Sequence, residues 1–203
     1  MVKGNIMVGQ SGGPTAVINA SLVGVYKAAQ DAGIDKIYGM QNGIEGLLQN
    51  RYVDLREQIQ NEMDVEILKR TPAAFLGSCR YKLPDMRKEP EVYQRLFEIL
   101  ERADVRYVVY IGGNDSMDTV LKLSSYAAMV GSDIRFMGVP KTIDNDLAET
   151  DHTPGFGSAA KFVASAMKEI IRDSSVYYMD SVTIVEIMGR NAGWLTAASA
   201  LAK

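Results

Sequence analysis

The segment RYVVYIGGNDS, residues 106–116, decides the fold class. It is a continuous apolar run that ends in two glycines, and a helical pattern follows from about Asp115 to Val130. A short apolar run bounded by glycine and followed by a helix is typical of a buried strand in a parallel sheet. Three further segments have the same character and are predicted strands: NIMVG (5–9), IDKIYGM (34–40) and DIRFMGV (133–139).

Helical stretches separate these strands, so the chain alternates strand and helix. A helix is predicted from about Thr15 to Ala32, with Gly33 as its stop, and residues 45–70 are predicted to be loop plus helix. After residue 150, the segments predict a loop and amphipathic helix over 154–173, a strand over 181–189 and a helix after Arg190. Such alternation predicts βαβ units and an α/β fold with a parallel sheet.

The overall composition excludes several classes of protein. Of 203 residues, 47% are hydrophobic and 23% are charged, which is typical of a globular protein rather than a disordered or fibrous one. The net charge is −3 and no basic block is present, so neither a nucleic acid nor an anionic membrane is a predicted partner. One cysteine, one histidine and no signal-peptide pattern exclude a disulfide framework and predict a cytoplasmic protein. Because the apolar helical pattern TAASALAK continues to residue 203, we expect this sequence to be part of a longer protein.

The first unusual segment, SGGPT (11–15), follows the first strand. Gly12 and Gly13 would let the backbone approach an anion, and the N–H groups at the start of the next helix would favour negative charge. The segment matches neither the P-loop nor the GxGxxG pattern. A phosphate-binding loop and an ordinary tight turn both remain open.

Two further segments could extend an anion site. GGNDS (112–116) places Asn114, Asp115 and Ser116 after a strand, where they would either cap the next helix or contact a phosphate or a metal. LGSCR (76–80) supplies Arg80, which we expect near another strand end, either as an anion ligand or as an ordinary solvated residue.

GVPKTIDNDL (138–147) carries the most informative chemistry. Lys141 lies three residues before Asp144, and Asp146 follows two residues later. An Asx turn would explain the acids alone. However, a carboxylate that can take a proton from a hydroxyl, next to a cation that can neutralise phosphoryl oxygens, is what phosphoryl transfer requires. Arg190, in MGR after the predicted strand 181–189, could grip a phosphate or a carboxylate.

Taken in order, five segments resemble the phosphofructokinase family: GQSGGPTAVINA, LGSCR, GGNDS, GVPKTIDND and VEIMGRNAGW. They span most of the chain. The resemblance implies a Rossmann-like three-layer α/β sandwich with a mostly parallel sheet, in two domains with the active site in the cleft between them. Residues 1–150 would form the domain that binds the phosphoryl donor. Residues 151–203 would begin the domain that binds fructose 6-phosphate, which would continue past the end of this chain.

The resemblance also implies roles for single residues. Asp144 would be the general base that takes the proton from the 1-hydroxyl of fructose 6-phosphate. Asp146 would orient that hydroxyl or the metal, and Thr142 would bind the sugar. Further contacts to fructose 6-phosphate would come from Met188, Gly189 and Arg190. The donor would be held by Gly12, Gly13, Arg80, Gly113, Asn114, Asp115 and Ser116.

Two positions indicate the donor. ATP-using members of the family carry glycines where this chain has Asp115 and Lys141. A carboxylate at position 115 would repel the α-phosphate region of a nucleotide, and a lysine at 141 supplies a cation for a small, highly charged donor. The pair resembles the pyrophosphate-dependent branch, with Lys141 taking part in catalysis. An ATP-dependent enzyme and a non-catalytic sugar-phosphate-binding member are the alternatives.

The family further implies Mg²⁺ and a homodimer or homotetramer. Asn114 departs from the pattern, because relatives often carry an acid there that helps to bind magnesium. An amide oxygen can still ligate the ion or orient a water, but it adds no charge. Asn114 and Asp115 are therefore the predicted metal contacts, with more of the burden on Asp115 and Asp146.

Overall fold

The computed structural model describes residues 4–202. Its centre is a five-stranded sheet in the order β3-β2-β1-β4-β5. Strands β1, β2, β4 and β5 run parallel, whereas β3 pairs antiparallel with β2 at one edge. The strands are β1 Asn5–Gln10, β2 Ile37–Met40, β3 Tyr52–Asp54, β4 Val105–Gly112 and β5 Arg135–Pro140.

The α-helices that precede residue 141 are α1 Ile18–Asp31, α2 Gly43–Leu48, α3 Leu55–Gln58, α4 Glu62–Arg70, α5 Pro90–Arg102 and α6 Asn114–Val130. Those that follow are α7 Phe156–Ser174 and α8 Trp194–Ala198, and a 3₁₀ helix covers Ser199–Ala202. Within residues 4–202, no helix combines the length and the apolar character needed to cross a membrane.

Both faces of the sheet are covered by helices. Alternate side chains of a strand point to opposite faces, so Ile6 and Val8 pack with α1, α3 and α4 in one core. Met7, between them, packs on the other face with α2, α5 and α6. The predicted α/β three-layer sandwich with a mostly parallel sheet is confirmed.

The structure divides the chain into two compact units, residues 1–140 and residues 141–203. The first contains the sheet and helices α1 to α6, and the second contains α7, α8 and the 3₁₀ helix. The predicted boundary near residue 150, and the assignment of one domain to the donor and the other to fructose 6-phosphate, stay predictions.

The strand predicted over 181–189 is wrong. These residues have no regular structure, and Val182 and Ile184 are 92% and 91% exposed. Their β-branched, apolar pattern favours a strand, but a strand forms only when a neighbour satisfies its backbone N–H and C=O groups. Among residues 4–202, no strand pairs with this segment.

The segment that leads to Arg80, residues 73–80, forms neither a helix nor a strand. Ala73 and Gly77 have left-handed backbone angles, with φ of 74° and 73°, and the Gly77 N–H donates to the Ala74 carbonyl in a turn. Strand β3, which the sequence did not predict, has only three residues at the sheet edge and offers little periodic signal.

Candidate functional site

The loops after β1 and β4 meet because these two strands are neighbours, with Gln10 in register with Ile111. The Ser11 N–H donates to the Ile111 carbonyl at 2.9 Å. The hydroxyls of Ser11 and Ser116 then form a buried hydrogen bond of 2.5 Å. The two glycine-rich loops predicted from the sequence are therefore held side by side at the carboxyl ends of their strands.

Residues 76–80 join the same cluster of loops. The Gly12 N–H donates to the Cys79 carbonyl at 3.2 Å, and the Ser78 hydroxyl donates to the Gly12 carbonyl at 2.5 Å. Gly12 has a left-handed φ of 79°, a conformation that glycine adopts without strain. Arg80 follows Cys79 and is exposed, so its guanidinium is accessible to an anion.

Gly113 is the N-cap residue of helix α6, and no side chain forms a capping hydrogen bond at this end of the helix. The alternative in which Asp115 or Ser116 acts as the cap is therefore wrong. Asn114 and Asp115 lie exposed in the first turn of the helix, whereas Ser116 is 3% exposed. A carboxylate in a first turn interacts favourably with the helix dipole.

The loop after β1 is longer than predicted, because the helix that follows it starts later in the chain. Helix α1 begins at Ile18, three residues later than expected, with Val17 at the N-cap position. Gly12 and Gly13 are thus separated from the helix by Pro14, Thr15, Ala16 and the N-cap residue Val17. An anion bound at these glycines would therefore not lie at the end of the helix dipole.

A buried tyrosine lies beneath the loops and was missed by the sequence reasoning. The Tyr110 hydroxyl accepts a hydrogen bond from the Ile44 N–H at 3.2 Å and lies 3.8 Å from the Cys79 thiol. Burial raises the pKa of Tyr110, and a hydrogen bond with the Ser11 side chain opposes that shift. The hydroxyl therefore stays protonated at neutral pH. Apolar strand residues give no sequence signal for such a role, because the partners are distant in the chain.

The second unit carries the loop around Asp144, which is braced by its own residues. The Thr142 hydroxyl accepts the Asp144 N–H at 3.0 Å, and the Thr142 N–H donates to the Pro154 carbonyl at 3.1 Å. The Thr153 hydroxyl donates to the Thr142 carbonyl at 2.7 Å. Because the side-chain oxygen of Thr142 accepts the bond from the Asp144 N–H, the hydroxyl hydrogen of Thr142 can still be donated to a sugar.

Asn145, the residue between the two aspartates, closes this loop and was not singled out by the sequence. Its side-chain amide donates to the Asp151 carbonyl at 3.0 Å and accepts the Thr153 N–H at 2.8 Å. Its φ of 57° is left-handed, which asparagine tolerates better than most residues. The buried amide therefore fixes the loop from which Asp144 and Asp146 project. The sequence signal that could have identified Asn145 is a polar residue of a type that favours turns, placed between two aspartates.

Lys141 is 7% exposed, an unusual position for a lysine. Burial lowers the pKa of Lys141, and the nearby Asp144 carboxylate opposes that shift by favouring the charged form. Asp144 itself is half-buried and Asp146 is exposed. The loop thus presents a cation and a carboxylate in one partly dry environment, where charge interactions are stronger than in water.

The remaining predicted acceptor residues lie in the irregular segment 188–190. Met188 is 70% exposed and also lines an apolar cavity of about 290 Å³ with Ile143, Phe162 and Leu195. A Cβ at Gly189 would lie 2.2 Å from the Ala192 carbonyl oxygen, so the turn requires glycine. Arg190 is exposed.

Within residues 4–202, no group of three or more His, Cys, Asp or Glu side chains is placed to hold a metal ion. Asn114 and Asp115 supply two adjacent, exposed oxygen ligands. Mg²⁺ is commonly held by one or two carboxylates together with waters and substrate phosphates. These residues therefore fit a magnesium ion that arrives with a phosphorylated substrate, rather than an all-protein metal cage.

Residues 5–203 match the phosphofructokinase family. A pyrophosphate–fructose 6-phosphate 1-phosphotransferase of Xanthomonas campestris pv. campestris is 46% identical over all of this chain and 48% of its own length. An ATP-dependent 6-phosphofructokinase of Glaesserella parasuis serovar 5 is 37% identical over the whole chain and 58% of its own length. The crystal structure of a pyrophosphate-dependent phosphofructokinase from Nitrosospira multiformis matches 98% of this chain and 49% of its own, with a TM-score of 0.88 and 42% identity.

The chain belongs to the phosphofructokinase family. It spans about half the length of the pyrophosphate-dependent relatives that it matches, and its identity to them is higher than to the ATP-dependent relative.

Proposed function

We propose that the full-length protein transfers a phosphoryl group from pyrophosphate to the 1-hydroxyl of fructose 6-phosphate, giving fructose 1,6-bisphosphate and phosphate. The observation that carries this proposal is the loop of residues 141–155, in which a buried Lys141 accompanies a half-buried Asp144. The 46% identity to a phosphotransferase with this donor and acceptor supports the same choice of substrates.

In the proposed reaction, Asp144 accepts the proton of the 1-hydroxyl as the hydroxyl oxygen attacks phosphorus. A new phosphorus–oxygen bond forms to the sugar, and the bond to the leaving phosphate breaks. Lys141 offsets negative charge on the phosphoryl oxygens. Because one phosphate ester and one phosphate replace one phosphate anhydride, with no nucleotide involved, we expect the reaction to run in both directions.

The proposed acceptor contacts are Thr142, through its free O–H, Asp146, Met188, Gly189 and Arg190. The proposed donor contacts are Gly12, Gly13, Arg80, Gly113, Asn114 and Asp115. Mg²⁺, held by Asn114 and Asp115, would neutralise charge on the phosphoryl oxygens when it is bound. A cytoplasmic homodimer or homotetramer, with residues 1–150 for the donor and 151–203 for the start of the acceptor domain, completes the proposal.

The choice of pyrophosphate over ATP rests on Asp115 and Lys141. The exposed Asp115 carboxylate lies in the first turn of α6, where it would repel additional nucleotide phosphates. Lys141 adds bulk and positive charge where ATP-using relatives carry glycine. Discrimination would therefore combine repulsion of the wrong donor with attraction of the right one.

The decisive experiment measures fructose 1,6-bisphosphate formation by the full-length protein with pyrophosphate and, in parallel, with ATP. We expect kcat/KM to be larger with pyrophosphate by at least about a hundredfold, equivalent to roughly 2.7 kcal/mol. The variant carrying Asp115→Gly and Lys141→Gly should lose most of that preference. Wild-type preference for ATP would show that the donor assignment is wrong, and activity with neither donor would favour a non-catalytic sugar-phosphate-binding protein.

A further inference from the structure

A hydroxyl pair joins the two loops that the proposed function assigns to the phosphoryl donor. Ser11 belongs to the loop after β1 and Ser116 to the start of α6, and their side-chain oxygens are in direct hydrogen-bond contact. Both residues are buried, at 6% and 3% exposure. The Ser116 hydroxyl is therefore directed into the protein and toward another side chain.

The surroundings leave little room for this pair to rearrange. A Cβ at Gly112 would lie 2.0 Å from the Ser116 side-chain oxygen and 3.0 Å from the Ser11 carbonyl oxygen. The chain thus passes close to both serines only because residue 112 is glycine. The absence of a side chain there lets the two loops approach until their hydroxyls meet.

The Ser11–Ser116 pair is also connected to a third loop, residues 76–80. The buried Tyr110 hydroxyl, on the strand that leads to Ser116, lies against the Cys79 thiol. Gly12, the next residue after Ser11, is bonded through its N–H and its carbonyl to Cys79 and Ser78. A displacement of Ser11 would therefore be transmitted to Gly12 and to the segment that carries Arg80.

From this geometry we infer that Ser11 and Ser116 act together as positioning residues, holding the two proposed donor loops in register without touching the donor. The inference rests on the proposed function for its catalytic consequence, but not for the link between the loops. It assigns Ser116 a role different from the direct donor contact implied by the family resemblance, and it adds Ser11 to the residues that matter for donor binding.

The test compares Ser11→Ala, Ser116→Ala and the double variant in the full-length protein. Either single change removes the hydrogen bond of this pair and lets the two loops move apart, so the KM for pyrophosphate should rise by about 5- to 100-fold. The KM for fructose 6-phosphate should stay within about twofold. The double variant should be no worse than the poorer single variant, because the two hydroxyls act as one unit.

Amide hydrogen exchange tests the link independently of catalysis. Ser116→Ala should speed exchange in residues 11–15, and Ser11→Ala should speed exchange in residues 113–117. The matched control is Ser125→Ala, which removes an exposed hydroxyl on the same helix that bonds only the Leu121 carbonyl. It should change neither exchange in the loops nor KM. Ser116→Cys, which keeps a side-chain donor but a weaker and larger one, should lie between wild type and Ser116→Ala.

The outcomes separate the two proposals. If Ser116→Ala raises the KM for pyrophosphate but Ser11→Ala does not, Ser116 contacts the donor directly and the positioning role is wrong. The inference also fails if the double variant is additive, or if exchange responds only locally. An inactive wild type would instead contradict the proposed function, while reciprocal exchange between the loops would still decide whether the hydroxyl pair joins them.

Discussion

The loop around Asp144 and the loops at the carboxyl ends of β1 and β4 are held in place by different means. Around Asp144, the side-chain hydrogen bonds join residues that are 2, 6, 8 and 11 positions apart. In the other region, the bonds from Ser11 to Ser116 and from Ser78 to Gly12 span 105 and 66 positions. The bonds around Asp144 lie within one short segment, whereas the bonds between the loops after β1 and β4 can form only when the sheet has formed.

This difference has a consequence for how each region responds to change. A local loop can be damaged by substituting one of its own residues without affecting distant loops. A loop held by long-range contacts responds to substitutions far away in the chain.

Replacing Asp144 with serine removes the proposed general base while leaving the braces of its loop intact. The structure uses the Asp144 N–H, not its side chain, in the bond to Thr142. We expect kcat to fall by about 10²–10⁴-fold, the range for loss of a general base, with little change in either KM. Steady-state kinetics measure this, with Asp146→Ser as the comparison that should lose less. A near-normal kcat would contradict the role of Asp144.

Replacing Asn145 with alanine should break the local loop itself. The change removes both hydrogen bonds to Asp151 and Thr153 and places alanine at a left-handed φ of 57°. Displacing Asp144 in this way should lower kcat by about 10- to 100-fold. Asn145→Asp keeps the acceptor for the Thr153 N–H and should be intermediate. If exchange in residues 11–15 also increased, the loop would not be as self-contained as its bonding indicates.

Gly112→Ala should damage the long-range region in preference to the Asp144 loop. The added Cβ requires Ser116 and the Ser11 backbone to move, and overpacking of this kind costs about 1–3 kcal/mol of stability. We expect a lower thermal midpoint and a higher KM for pyrophosphate.

The matched glycine is Gly24, which lies exposed in α1 with no atom within 4 Å of the position of an added Cβ. Gly24→Ala should leave KM unchanged and stabilise the helix by about 1 kcal/mol. Equal effects of Gly112→Ala and Gly24→Ala on KM would contradict the role given to the close contact of residue 112 with Ser11 and Ser116.

Lys141→Met should have the smallest effect of the four changes, and this effect on stability should depend on pH. Burial lowers the pKa of Lys141 below the ordinary 10.5. Between the folded-state pKa and about 10.5, the unfolded chain binds more protons than the folded one, so stability rises with pH. Below that window both states are protonated, and the destabilisation from burying the charge is fully present.

Lys141→Met should therefore have a higher thermal midpoint than wild type near pH 7, by about 2–4 °C for each kcal/mol removed. The difference should shrink as pH approaches 10.5. Lys161→Met, at an exposed lysine on α7, is the control that should show no such trend. A difference that stayed constant over pH would mean that burial does not disfavour the Lys141 charge.

Much of the fold could be predicted because its signals are local. The apolar runs that form β1, β4 and β5 stop at glycine or proline, and the helices between the strands have apolar faces that match two cores. The failures have the opposite character. Segment 181–189 has the composition of a strand but finds no strand partner within residues 4–202, and pairing is a property of the neighbour as much as of the segment.

The candidate site divides in the same way. The charged groups of the proposed site are visible in the sequence alone: Lys141, Asp144 and Asp146 in one turn, and Asp115 after a glycine pair. The sequence also determined the self-braced loop around Asp144, because those bonds join residues close together in the chain. The contact between Ser11 and Ser116 and the burial of Tyr110 and Lys141 become visible only in the folded chain. The physical reason is that burial and long-range hydrogen bonds arise when parallel strands bring distant loops to one edge of the sheet.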